Sequence, residues 1–139
     1  HSSYNIINFK NKKIGKFNIE QKILYKDLLK SCNIGLSTVV INKKLINNKI
    51  KFCKLKTKED YFLWLQIIKK IKSLYGLKQY LVSWRYNKGS LSDSTWQKLI
   101  DAFRLYHHYE KYNVFISFFY VIRLSFNAFK KKLIIYNPL

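Results

Sequence analysis

Residues 57–71 read TKEDYFLWLQIIKKI, and this stretch decides the fold. Its apolar residues recur at the three- and four-residue spacing of one helix face: Tyr61, Trp64, Leu65, Ile68 and Ile71. Thr57 and Asp60 resemble a capping box, with Asp in place of the usual Glu. The stretch therefore predicts a well-buried helix that begins near Thr57.

Outward from this helix, short apolar runs alternate with polar turns. Towards the N-terminus we expect strands at residues 3–9 and 16–19, a short helix or turn at 23–31, and a buried β-branched strand at 36–41 (LSTVVI). Towards the C-terminus, residues 79–86 (QYLVSWRY) predict another strand. This order indicates an α/β fold, with too few strands for a complete doubly wound domain.

Two further helices are predicted in the C-terminal third. Ser94 and Gln97 form a second capping box. The apolar residues that follow share one helix face: Trp96, Leu99, Ile100, Phe103 and Tyr106. The last predicted helix, residues 114–132, is apolar nearly all round and ends in three lysines.

The charge is strongly basic, with 27 Lys and Arg residues against 7 Asp and Glu in 139 residues. Such a balance favours an anionic partner, or else reflects a lysine-rich solvated surface. Only Arg85, Arg104 and Arg123 are arginines, and no helix-turn-helix, RNP or zinc motif is present, so nucleic acid is disfavoured as the partner. The hydrophobic fraction of 48% excludes a disordered chain.

Compartment signals are sparse. Cys32 and Cys53 lack metal-ligand spacing and are expected to be reduced thiols in the cytoplasm. No basic segment leads into an apolar run at the start, and the apolar run at 114–129 is interrupted by polar residues. The sequence has no Met and begins with His1, from which we expect a piece of a longer protein.

Four stretches occur together in a characteristic order: YKDLLKSC (25–32), NIGLSTVVI (33–41), KTKEDYFLWL (56–65) and YLVSWRYNKGSLS (80–92). In this order and spacing the chain resembles family 2 glycosyltransferases of the capsule and lipopolysaccharide type. Trp84 stands where the family commonly has Tyr before the Arg of the fourth motif. The resemblance covers nearly the whole chain.

The resemblance implies the C-terminal, acceptor-side half of a GT-A (Rossmann-like) domain at residues 1–111, followed by an apolar and basic helix at 112–139. It implies inverting transfer from a nucleotide-diphosphate sugar to a glycan or lipid-linked acceptor, in bacterial surface polysaccharide synthesis. The donor-binding N-terminal half and its D-x-D-like motif are missing here. Mg²⁺ or Mn²⁺ is expected in an intact relative, whereas this sequence offers no evident cofactor or metal ligands.

The resemblance assigns the general base to Asp60, with Glu59 beside it. A carboxylate within hydrogen-bond reach can take the proton of an acceptor hydroxyl as the new bond forms. The alternative is that both acids merely complement the helix N-terminus, an environment that lowers the pKa of a carboxyl group.

Six residues are candidates for substrate binding: Gly35, Ser37, Thr38, Trp84, Arg85 and Ser90. Residues 35–38 would present hydroxyls and bare backbone to a sugar, or else form a bend before a core strand. Arg85 would hold a phosphate, or form an ion pair with Glu59 or Asp93. Trp84 would stack on a sugar, or pack in the core. Ser90 would line the same loop, or only shape a turn.

The last helix leaves two alternatives open. Its phenylalanines and terminal lysines are typical of a helix that lies at an anionic membrane surface, which would make the protein peripheral on the inner face of the plasma membrane. Otherwise it packs against the domain or the missing half. A catalytically inactive remnant, acting only through its basic surface, is the alternative function.

Overall fold

The computed structural model describes residues 1–87 and 94–136, with the backbone alone described for 132–136. Five strands and four α-helices follow one another in a mixed α/β arrangement, which confirms the predicted class. Their bounds are β1 Ser2–Ile7, β2 Lys13–Phe17, β3 Lys22–Leu24, α1 Tyr25–Leu28, α2 Glu59–Ile71, β4 Ser73–Tyr75, β5 Leu77–Arg85, α3 Thr95–Arg104 and α4 Val114–Tyr136.

Two small sheets organise the strands. In the larger, β1 lies between β2, its antiparallel neighbour, and β5, its parallel neighbour. Tyr4 is opposite Phe17 on one side and Val82 on the other. In the smaller sheet, β3 pairs with β4 in antiparallel register. Because a parallel pair needs a crossover, the chain between β1 and β5 contains α1 and α2.

The core is built around α2, as its periodicity predicts. Tyr61, Trp64, Leu65 and Ile68 are buried, together with other positions around the helix. Leu28, Leu105, Tyr106, Val121 and Leu124 pack in the same cluster. Lys72 ends the helix with a positive φ of 68° and donates its backbone N–H to Ile68 O.

The predicted strand at residues 36–41 is wrong. Leu36–Thr38 forms a 3₁₀ turn, and Val40 is 94% exposed. The Thr38 hydroxyl donates to Gly35 O over 2.7 Å, which is a local side-chain bond that competes with sheet pairing. The strand propensity of LSTVVI is therefore not realised, because none of the described strands pairs with this segment.

The other N-terminal expectations hold with shifted boundaries. The hairpin turns at Asn8, whose side chain accepts from the backbone N–H of Lys10 and Lys12. Strand β2 therefore begins at Lys13, before the predicted 16–19 segment. The stretch predicted as a short helix or turn divides into β3 and the single turn α1.

The C-terminal helices confirm one prediction and correct another. Ser94 Oγ accepts from Gln97 N at 3.3 Å, as the capping pattern predicts. The shared apolar face of this helix is only partly buried, because Trp96 is 78% exposed. A π-helical segment, Leu105–Tyr109, follows α3 and turns Leu105 and Tyr106 into the core.

Candidate functional site

The turn that leads into α2 is held by a buried carboxylate from α3. Asp101 is 1% exposed. Its Oδ2 accepts from Lys56 N, Thr57 N and Thr57 Oγ1 at 2.9 to 3.2 Å, and its Oδ1 accepts from Gln97 Nε2 at 3.0 Å. Burial alone would raise the pKa of Asp101, but these bonds hold it below its usual value.

The Thr57 capping box is therefore a wrong prediction. Lys58 is the residue before the helix, and no side chain caps α2 there. Thr57 Oγ1 is engaged by Asp101 instead. The consequence is that Glu59 and Asp60, the first two residues of α2, are positioned by a scaffold that the local sequence pattern does not reveal.

Asp60 lies half-buried at this helix start. Its Oδ1 accepts from Tyr61 N over 2.7 Å. Burial raises the pKa of the Asp60 carboxyl, and the charge of Glu59 adds to the rise, against the lowering effect of the Tyr61 N–H and of Lys58. The helix N-terminus was expected to lower this pKa, but desolvation outweighs it. A raised pKa makes Asp60 a better proton acceptor than an ordinary surface aspartate.

The carboxylates of Glu59 and Asp60 influence different neighbours, because consecutive residues of a helix point in different directions. Asp60 contributes to the raised pKa of Cys32, whereas Glu59 contributes to that of Cys53, in both cases after burial as the main cause. Glu59 Oε2 is buried and has no hydrogen-bond partner in the described part of the chain. Such an oxygen is an open acceptor position for a hydroxyl.

Lys131, near the end of α4, reaches into the same region. Its Nζ donates to Cys32 O over 3.0 Å. Burial lowers the pKa of this amine to about 8, and burial raises the pKa of the Cys32 thiol to about 11. Cys32 and Cys53 are both free. The Lys131 amine is therefore only partly protonated just above neutral pH. It lies beside Cys32, whose pKa is also raised by the charge of Asp60.

A row of contacts connects Lys131 to the sheet. Its Nζ lies 6.0 Å from the centre of the Phe17 ring, and Phe17 stacks on Tyr4 with ring centres 5.0 Å apart. A methyl group added at Gly35 would lie 3.4 Å from the Tyr4 ring. The structure thus gathers Gly35 and its turn, Cys32 and Lys131 around the face of β1 and β2, while Asp60 is connected to this group only through its electrostatic effect on Cys32.

Within this turn, Thr38 and Ser37 differ. Thr38 is buried, and its hydroxyl is used by Gly35 O. Ser37 is exposed. The hydroxyl that remains accessible to a ligand here is therefore that of Ser37.

Trp84 and Arg85 point to opposite faces of β5, because successive strand residues alternate. Trp84 is opposite Ile6, two residues from Tyr4, and shares the Tyr4 face. It is 41% exposed, so the alternative of a core tryptophan is wrong.

Arg85 is engaged at the end of the sheet. Its Nη1 donates to Asn8 O at 3.1 Å and to Phe9 O at 3.4 Å. Within residues 1–87 and 94–136, no ion pair joins it to Glu59. The other alternative partner, Asp93, and the candidate Ser90 lie outside the described residues.

Two cavities open near the start of α2. One, of about 310 Å³, has Lys30, Asn33 and Lys131 in its lining. The other, of about 300 Å³, lies between α3 and α4 and has Lys58 and Phe129 in its lining. Asp60 is in neither lining, but Lys58 precedes it by two residues.

The residues present do not fit a resident metal ion. In the described ranges, no group of three or more His, Cys, Asp or Glu side chains is placed to hold one.

No described helix is long and apolar enough to pass through a membrane.

Sequence comparison with curated proteins finds several similar glycosyltransferases. The chain is 47% identical over 70 residues to WfgD of Escherichia coli, a UDP-Glc:alpha-D-GlcNAc-diphosphoundecaprenol beta-1,3-glucosyltransferase, covering 50% of this chain and 26% of that protein. It is 35% identical over 86 residues to WfaP of the same organism, which is named for the same activity. That match covers 62% of this chain and 34% of WfaP. It is 26% identical over 113 residues to TuaG of Bacillus subtilis, a candidate teichuronic acid biosynthesis glycosyltransferase. That match covers 81% of this chain and 44% of TuaG.

The chain is related to family 2-like glycosyltransferases. It spans about half the length, or less, of the curated glycosyltransferases that it matches. No protein-family model matches it, and no solved structure matches it significantly.

Two residues of this candidate site were not predicted from the sequence. Asp101 was seen only as an isolated acid, because its partners lie 44 and 45 residues away. Lys131 was read with Lys130 and Lys132 as one basic run. The signal for Lys131 was its position one turn after Asn127, another polar residue that turns inward to bond Lys30 O.

Proposed function

We propose that this chain is the acceptor-side part of an inverting glycosyltransferase with a GT-A fold, and that Asp60 is its general base. The observation that carries the proposal is the half-buried Asp60 carboxyl, whose pKa burial raises, at the head of α2. The relatives named as glycosyltransferases support the reaction class.

The proposed step is a single displacement. Asp60 accepts the proton of an acceptor hydroxyl while that oxygen attacks the anomeric carbon of the donor sugar. The bond from the anomeric carbon to the nucleotide diphosphate breaks on the opposite face, and the diphosphate leaves with the electron pair. The anomeric configuration therefore inverts.

Neighbouring groups support this role. The orphaned Glu59 Oε2 offers an acceptor position for a second hydroxyl or a water. The partly protonated amine of Lys131 places a variable positive charge beside the same loop.

Substrate contacts are proposed on the Tyr4 face of the sheet. Trp84 offers an exposed ring for stacking on a sugar. The turn at Gly35 and Thr38 offers backbone and the exposed Ser37 hydroxyl. Arg85, on the other face, would meet a phosphate only with the N–H groups that do not bond Asn8 O and Phe9 O. Ser90 is kept as a candidate on sequence alone.

The donor site is proposed to lie in residues that this chain does not contain. The relatives WfgD and WfaP are named for UDP-Glc as donor and a diphosphoundecaprenol-linked GlcNAc as acceptor. We infer a nucleotide-diphosphate sugar and a glycan or lipid-linked acceptor for this chain as well. A divalent metal, where used, would be held by the donor half, since the described residues here offer no ligand set. A lipid-linked acceptor would bring the protein to the cytoplasmic face of the plasma membrane.

A chimera tests the proposal. The N-terminal part of WfgD that precedes its matched region is fused to residues 1–139, and transfer from UDP-Glc to the GlcNAc-diphosphoundecaprenol acceptor is followed. We expect a glucosylated product whose new linkage has the β configuration by NMR. Asp27→Asn, a change at a half-buried acid paired with Lys30, is the control for loss of a carboxylate elsewhere in the chain.

The result that contradicts the proposal is a folded chimera that binds UDP-Glc and makes no product. That outcome would favour the alternative, a catalytically inactive remnant with a basic surface.

A further inference from the structure

The strongest feature outside the proposed site is the outward face of α4. A stripe of large apolar side chains runs along it at spacings of three or four residues, and all of them are exposed: Phe115, Phe118, Ile122, Phe126 and Phe129. Phe115 is 86% exposed and Ile122 68%. At 1.5 Å per residue the stripe is about 20 Å long.

Part of the inward face of α4 is polar, although Val121 and Leu124 are also buried there. Polar side chains of α4 turn towards the protein: Ser117 is buried and bonds Asn113 O, Asn127 bonds Lys30 O, and Lys131 bonds Cys32 O. A helix that solvent alone covered would place its aromatic residues inward and these polar residues outward. The exposed stripe therefore indicates an apolar environment outside the protein.

Cations accompany the stripe. Lys130 Nζ lies 4.6 Å from the centre of the Phe126 ring, and the Arg123 guanidinium lies 6.0 Å from that of Phe119. The sequence of α4 contains four basic residues and no acidic one. Apolar rings flanked by cations complement a surface that is apolar below and anionic above.

Comparison with a second unpartnered surface distinguishes a lipid occupant of α4 from a protein occupant. Strand β5 lies at the edge of its sheet, so it offers unpaired backbone N–H and C=O groups, which suit a protein partner. The outward face of α4 offers side chains alone, because its backbone is satisfied within the helix. Of the two surfaces, α4 suits lipid.

We propose that the Phe115–Phe129 stripe of α4, with Arg123 and Lys130, binds the surface of an anionic lipid bilayer. The apolar side chains enter the boundary between headgroups and acyl chains, and the two cations meet the lipid phosphates. Phe129 also lines the cavity that contains Lys58, so the bound face is continuous with the surroundings of Asp60. This inference does not depend on catalysis.

The test is cosedimentation of the 139-residue chain with extruded vesicles. The vesicles are either phosphatidylcholine alone or equal parts of phosphatidylcholine and phosphatidylglycerol. We expect binding to the mixed vesicles that weakens with added salt, and much weaker binding to the neutral ones. The triple variant Phe115→Ser, Ile122→Ser, Phe126→Ser should lose at least about tenfold in affinity.

A matched control removes the same number of exposed apolar side chains elsewhere: Phe9→Ser, Val40→Ser and Leu81→Ser. It should bind like the wild type. Both triple variants should melt within about 2 °C of each other, since neither set lies in the core. A charge variant, Arg123→Gln with Lys130→Gln, should lose the preference for anionic vesicles even if the apolar variant fails to fold.

Three results would overturn the inference. The first is α4-variant binding equal to that of the control. The second is a wild type that ignores both kinds of vesicle. The third is a wild-type dimer that the α4 triple variant converts to monomer without any vesicle binding, which would assign the stripe to a second copy of the chain.

Discussion

Helices α2 and α4 are both rich in aromatic and branched apolar residues and both carry lysines near their C-terminal ends, yet they occupy opposite environments. Tyr61, Trp64 and Leu65 of α2 lie in the core. Most of the large side chains of α4 face outward, with Val121 and Leu124 among the few that are buried. The hydrophobic content of a helix therefore indicates that its apolar side chains need to be shielded from water. It does not indicate whether the protein core or an outside partner shields them.

The polar contacts of the two helices account for the difference. In α2, the Tyr61 hydroxyl donates to Leu28 O and lies 3.0 Å from the Tyr106 hydroxyl, which donates to Leu29 O. These bonds attach α2 to α1 and to the π-helical segment inside the protein. In α4, the inward face carries the polar contacts of Ser117, Asn127 and Lys131 together with the buried Val121 and Leu124.

The largest expected effect tests this contrast on stability. Trp64→Ala should reduce the free energy of unfolding by about 4 kcal/mol, because it empties a large volume in the core. Phe115→Ala, at an equally bulky but exposed site on α4, should change it by less than about 0.5 kcal/mol. Urea unfolding followed by circular dichroism measures both. Equal losses would show that α4 is covered by the protein itself.

The next effect concerns the scaffold before α2. Asp101→Ala leaves the backbone N–H groups of Lys56 and Thr57 without their acceptor, and should cost about 3 kcal/mol of unfolding free energy. Glu20→Ala, at an exposed acid, should stay within about 0.5 kcal/mol. A loss below about 1 kcal/mol for Asp101→Ala would mean that the α2 start does not need this carboxylate.

A smaller, pH-dependent effect separates Lys131 from the outward cations of α4. Its pKa is lowered from 10.5 to about 8 by burial, so the unfolded chain holds the proton more tightly than the folded one. Stability therefore rises with pH between these values. Relative to Lys131→Gln, the wild type should gain roughly 2 kcal/mol from about pH 7.5 to about pH 10. Lys12→Gln should show no such trend, and a flat difference for Lys131→Gln would place its amine in solvent.

The sequence predicted the elements whose signal is periodic or local. The α2 periodicity, the strands β1 and β5 and the Ser94 cap all follow from residues within one element. The class of fold and the relation to glycosyltransferases were predictable for the same reason, since both rest on ordered motifs along the chain.

The rest depends on partners distant in sequence. The run at 36–41 has strand propensity, but none of the described strands pairs with it. Thr57 has the sequence pattern of a helix cap, but its hydroxyl donates to Asp101, which lies 44 residues away. The inward turn of Lys131 and the outward turn of Phe126 on one helix are set by tertiary contacts, which composition and spacing do not encode.

The most direct test of the account is Asp60→Asn in the chimera, with transfer rate and donor affinity measured on the same preparation. We predict a kcat lower by about a thousandfold, a UDP-Glc Kd unchanged within about twofold, and a higher melting temperature near neutral pH. The last follows because burial raises the pKa of Asp60, so its ionised form costs stability above that pKa, a cost that vanishes as the pH falls below the ordinary value of an aspartate. A folded Asp60→Asn chimera that turns over within about tenfold of the wild type would contradict the assignment of Asp60 as the base.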